Sequence, residues 1–169
     1  MTVWVEESGV RFGPFEECNI FRVEHSPGMS GLGENLKKVE FALSMPIASG
    51  GARVVFVEAK ASIPRDTDAF FRDIRDKMLH SMTAWFMALV GKHRQLEDEL
   101  PSALRGPELI HNQIDLILVA PPIPDQNLSA VTDKFRAVMI GDMRAWGIEP
   151  INVRVLNESR AQRYGLIQP

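Results

Sequence analysis

With 169 residues, 45% apolar and 24% charged, the chain can bury one core of ordinary size and lacks the polar, highly charged balance that keeps a chain disordered. Its single cysteine, Cys18, excludes an internal disulfide and a cysteine-built zinc cage, and a buried apolar thiol is the expected reading. A formal net charge of −3 excludes a broadly basic surface of the kind that clings to nucleic acid without specificity. The first residues, Met1 to Glu7, carry no basic leader, and no apolar run approaches the roughly 18 residues a spanning helix needs. The expectation is a cytoplasmic protein with no membrane partner, folded as a single domain over 1–169.

In chain order, Val3-Trp4-Val5 and Val10-Arg11-Phe12 predict a short hairpin turning at Glu7-Ser8-Gly9. Ile20 to Glu24 is apolar and of open type, and Gly28, Gly31 and Gly33 predict a flexible loop after it. Two strands follow, 38–43 and 53–60, joined by a turn at Ala48-Ser49-Gly50-Gly51. From Asp68 to Val90, Phe71, Ile74, Met78, Met82, Trp85 and Leu89 recur at steps of three and four, the pattern of a helix with one buried face. The segment 92–113 is charged and broken by Pro101 and Pro107, which predicts a short helix and a surface loop. Ile114 to Ala120 predicts a buried strand; Leu128, Val131, Phe135, Val138, Met139 and Trp146 predict a second long helix that Gly147 ends. A last strand is expected over 151–156; Arg154, Arg160 and Arg163, diluted by Glu158, are the candidate contact for a nucleic-acid backbone, with a solvated tail as the favoured reading. Trp4 and Phe15 are candidate exposed apolar positions. The order strands, helix, strand, helix, strand predicts an α/β fold, a mixed β-sheet of about five strands flanked by helices, with parallel pairing across the helical crossover.

The residues that carry chemistry lie on the paired strands. Alternate residues of a strand share a face, so Glu58 and Lys60 project together while Val57 and Ala59 point away. Carboxylates at such a position hold Mg²⁺ or Mn²⁺, and the amine orients water or offsets charge developing on a phosphate. One carboxylate binds such an ion poorly; Glu40, on the neighbouring strand, falls opposite or diagonal to Glu58. Val54 to Val57 run without a polar residue, as in a strand covered on both faces, where an unpaired charge costs several kcal/mol. A structural ion pair is the other reading of Glu58-Ala59-Lys60. On the long helix Lys77 and Ser81, four apart, share a face, and an i, i+4 pair of Lys77 with Asp73, worth only about 0.3–0.5 kcal/mol, is the expected reading unless that helix packs on the hairpin and brings them to the acids.

An acid on one strand followed by Glu58-Ala59-Lys60 on the next resembles the PD-(D/E)XK nuclease superfamily over roughly residues 16 to 90. The first acid is a glutamate where aspartate is commoner, with no Pro-Asp pair before it. The resemblance implies a restriction-endonuclease-like core in which Glu40 and Glu58 are metal ligands, Lys60 the catalytic lysine and Glu24 the acid from the preceding element. It implies a Mg²⁺-dependent hydrolase of nucleic-acid phosphodiester bonds; the acidic composition adds the expectation of a larger assembly that supplies target binding. A non-catalytic module on the same scaffold, engaging a protein partner, stands beside it, favoured by the acidic net charge.

Overall fold

The computed structural model describes residues 1–168. A five-stranded mixed sheet runs in the order β3(Ile20–Phe21), β4(Phe41–Pro46), β5(Ala52–Ala59), β6(Ile114–Val119), β7(Val153–Leu156). β3, β4 and β5 pair antiparallel, and β5, β6 and β7 pair parallel. The expected α/β class and mixed sheet are therefore present; the fifth strand is the short β3. A separate hairpin, β1(Thr2–Glu7) and β2(Val10–Glu16), forms its own two-stranded sheet.

The period-two pattern of the strands sorts their side chains between two cores. Val54 and Phe56 of β5 and Leu116 and Leu118 of β6 face α2(Thr67–Leu89) and α4(Asp125–Trp146), packing against Phe71, Ile74, Met78 and Phe135. Val55, Val57 and Ala59 face the hairpin and α5(Glu158–Tyr164), packing against Val5, Phe12 and Ala161. The result is three layers: helices, sheet, then hairpin with a short helix. Phe56 is fully buried and meets Trp85 edge-on, ring centroids 5.8 Å apart, and burying such a ring contributes about 1.5–3 kcal/mol.

α2 starts where Asp66 accepts a hydrogen bond from the Asp68 N–H, and Gly147 ends α4 at φ 65°, a conformation glycine adopts without penalty. Four expectations are corrected. Residues 27–31 form α1(Pro27–Gly31), not a flexible loop, because the Ser26 side chain caps it and the Glu99 carboxylate of α3(Arg94–Glu99) accepts from the Gly28 N–H at 2.8 Å. Cys18 is exposed on a 3-10 turn rather than buried. Phe15 is buried against Phe41, and Trp4 is half-buried under Arg11. The C-terminal segment is no tail, since Asn157 caps α5 and Leu166 lies in the core. Among the described residues no helix is long and apolar enough to cross a membrane.

Candidate functional site

Strand direction concentrates polar groups at one edge of the sheet. The parallel strands β5, β6 and β7 all end there, the rim at which ligands settle in open α/β sheets. Antiparallel β4 begins at that rim, so Glu40, one residue before it, lies one step beyond the Phe41–Val57 pair and across from Glu58. The Glu40 N–H still donates to the Val57 carbonyl at 3.1 Å, and the Glu24 N–H reaches the Glu40 carbonyl at 3.5 Å, which carries the pairing outward from β3.

Glu58 points to the helix side, as the alternation requires, and is wholly buried. Its Oε1 accepts from two ammonium groups, Lys60 Nζ and Lys77 Nζ, each at 2.6 Å. Lys77 is thus tied to Glu58 and not to Asp73, which pairs with Lys37 at 3.0 Å. Ser81 is spent on the backbone: its Oγ accepts from the Val39 N–H at 3.0 Å and so fixes the chain just before Glu40. It faces the same side of α2 as Lys77 without touching the acids.

Glu7, Glu24 and Glu40 each bring a carboxylate oxygen within 4.8 Å of the others. Glu7 reaches the cluster from the tip of β1, and Ser8 beside it donates to the Ala59 carbonyl at 3.0 Å, pinning the hairpin tip to the end of β5. Nothing local in the sequence marks Glu7, because docking of the hairpin is a tertiary event. Two buried oxygens, Glu40 Oε2 and Glu58 Oε2, have no hydrogen-bond partner among the described residues. Buried acceptors are rarely left so, and each unmet one costs about 1–3 kcal/mol.

The charges are unbalanced in the same sense. Four carboxylates crowd together, with Lys60 and Lys77 bonded to Glu58 and Lys38 acting on Glu24 from further off, so negative charge is in excess when all are ionised. The protein alone relieves this by holding a proton: burial first, then the hydrogen bond with Glu24 and the charges of Glu58, Glu24 and Glu7, push the Glu40 carboxyl up to about 8. Glu24 shifts the opposite way, lowered chiefly by its hydrogen bond with Glu40. For Lys60, burial works against the charge, yet the bond to Glu58 and the nearby acids outweigh it and raise the ammonium above its ordinary value. Lys60 is therefore a cation at neutral pH that donates hydrogen bonds. Glu7, Glu24 and Glu40 together offer the hard oxygen donors that a divalent ion takes; Glu58 stands outside that converging trio and acts on it through its charge on Glu40.

Comparison with protein-family models, with curated proteins and with solved structures finds no match to this chain. The functional reading rests on the residues themselves.

Proposed function

We propose that the chain is a Mg²⁺- or Mn²⁺-dependent phosphodiesterase acting on nucleic acid, built on a restriction-endonuclease-like core of the PD-(D/E)XK type. The observation that carries this is the pair of buried, unpartnered oxygens on Glu40 and Glu58, beside carboxylates whose mutual repulsion a divalent ion would relieve. Glu40, Glu24 and Glu7 would hold the ion, with the free oxygen of Glu58 joining them. When bound, such an ion supplies a Lewis acid for a phosphoryl oxygen and an acidified water. Lys60, held beside Glu58, offers N–H donors to a phosphate oxygen or to water. Lys77, from α2, bonds the same Glu58 oxygen as Lys60 and so fixes the orientation of the carboxylate.

One observation favours a second reading. Glu58 Oε1 is already clasped by both lysines, an arrangement that also suits a non-catalytic interaction module on the same scaffold. Calorimetric titration of Mn²⁺ into the wild type and Glu58→Gln separates them. Binding heat in the wild type that is lost in the variant supports a metal site, and equal heats in both would sink it. Incubation with single- and double-stranded DNA and RNA then tests activity: metal-dependent cleavage lost in Lys60→Ala supports the enzyme. A folded wild type that binds Mn²⁺ through Glu58 and cleaves none of them leaves the interaction module.

A further inference from the structure

A polar concavity lies away from the carboxylates, along the outer edge of β7, between α4 and α5. It encloses about 490 Å³, the size range of small-ligand sites. Four arginines line it, Arg136 from α4, Arg154 from β7, and Arg160 and Arg163 from α5, against one acid, Asp125. In a chain of net charge −3 this is a local reversal of sign. The edge of β7 is not open to another strand, because Thr132 Oγ1 accepts from the Val155 N–H and Arg136 Nε donates to the Val153 carbonyl. A docked peptide strand is therefore disfavoured.

The guanidinium groups are only partly neutralised. Arg160 meets Asp125 at 3.7 Å with half its side chain exposed, and Asp125 is shared with the Asn157 amide. Arg163 is exposed and has no acidic partner among the described residues, and Arg154 bonds only the Ile151 carbonyl while lying near the Tyr164 ring. Between these cations the wall is apolar: Leu128, Val155 and the exposed Ile151. Arginine forks match phosphate oxygens in geometry and also stack on flat rings. A ligand that satisfies the whole lining carries a phosphate and a flat, largely apolar body.

From this we infer that the β7-edge cleft binds a nucleotide, its phosphate on Arg154, Arg160 and Arg163 and its base against Leu128 and Ile151. The nucleotide arrives either free or as one unit of a strand, and both sources offer the same chemistry. The inference does not rest on the carboxylate site, and its test runs with chelator present. AMP, inorganic phosphate and a short fluorescein-labelled single-stranded oligonucleotide are titrated into the full chain at low salt. AMP or the oligonucleotide should bind more tightly than inorganic phosphate. The double variant Arg160→Glu/Arg163→Glu, altered at two exposed positions, should weaken that binding by about tenfold or more, as loss of charge-assisted contacts implies. Arg94→Glu on α3, which lies outside the cleft lining, should leave it unchanged. Saturation by AMP assigns a free nucleotide, and binding by the oligonucleotide alone assigns a strand. Equal binding by the wild type and the double variant overturns the site, and inorganic phosphate binding as tightly as AMP and the oligonucleotide overturns the nucleotide. Loss in the double variant with no metal binding anywhere keeps the cleft and discards the phosphodiesterase reading.

Discussion

Glu58 on β5 and Asp115 on β6 are both wholly removed from solvent, on opposite faces of the same sheet, and their surroundings differ in kind. Asp115 is saturated: Oδ1 accepts from the Gln113 amide at 2.7 Å, while Oδ2 accepts from the Tyr164 hydroxyl and lies 3.4 Å from Arg53. Arg53 in turn packs over the Tyr164 ring, 4.5 Å from its centroid. That cluster staples α5 to the sheet and has no acid crowding it; its unmet polar atom is Arg53 Nε, on the basic partner and not on the carboxylate. Glu58 keeps one oxygen without a partner and faces Glu40, whose own oxygen is also unmet. A buried charge whose bonds are complete stabilises through its partners, whereas like charges held together with bonds unmet are retained at a cost, and such costs collect at functional sites.

Asp115→Ala is the strongest way to test that contrast. It leaves Arg53 and the Tyr164 hydroxyl without their acceptor, and stripping one member of a buried pair costs about 3–5 kcal/mol. The urea midpoint should fall steeply, with Mn²⁺ binding at the opposite rim retained in the protein that remains folded. Next in size is Glu58→Gln. Metal-dependent cleavage should drop by about a hundredfold or more, the scale of several kcal/mol of charge stabilisation, while the urea midpoint moves less than in Asp115→Ala. A larger loss of stability in Glu58→Gln than in Asp115→Ala would reverse the assignment and make Glu58 the staple.

The same contrast explains what the sequence made legible. α2 and α4 were readable because their apolar residues keep a 3.6 period over six turns, and Glu58, Lys60 and Glu40 because a period of two puts them on one side of a hairpin. Lys77 was readable as a residue facing that region, though not as a partner of Glu58. Glu7 was invisible, since its approach depends on the hairpin docking through Ser8. α1 was missed for a similar reason: its glycines argue against a helix, and the compensating carboxylate comes from Glu99, 71 residues on. Asp115 did leave a signal. A charge inside a run buried on both faces needs a partner, and Arg53 stands just before the neighbouring apolar stretch, two registers from it. The β7-edge cleft joins α4, β7 and α5, so no window of sequence contains it.

Crowding at the carboxylate rim also predicts how the ion-free protein responds to pH. Glu40 in the folded state titrates at about 8, against an ordinary value of 4.5. Below about 4.5 both folded and unfolded chains hold this proton and its contribution to stability is complete. As pH rises from there through 8, the unfolded chain releases the proton first, so stability is lost at up to about 1.4 kcal/mol per pH unit. Glu24, lowered instead, contributes above its ordinary value and loses that contribution only in more acid solution, so the two windows do not overlap. Urea midpoints of the wild type in chelator should therefore fall between about pH 5 and pH 8, and Glu40→Gln should flatten that fall. An unchanged slope in the variant would place the titrating group elsewhere.

Ser81→Ala carries the smallest effect and divides support from chemistry at the same rim. Ser81 is 2% exposed and its Oγ is the acceptor for the Val39 N–H. Removing it leaves a buried donor unmet, a cost of about 1–3 kcal/mol, at the lower end if a water enters. The expected result is a modest fall in the urea midpoint with Mn²⁺ affinity and cleavage within about threefold of the wild type, because Glu40 remains anchored by its own N–H to Val57. Ser81→Cys, which keeps a weaker polar group of similar shape, should recover part of the stability. The contrary pattern, cleavage lost at an unchanged midpoint, would mean that the hydroxyl leaves Val39 to meet a phosphate, and would move Ser81 from the supporting wall of α2 into the reacting site.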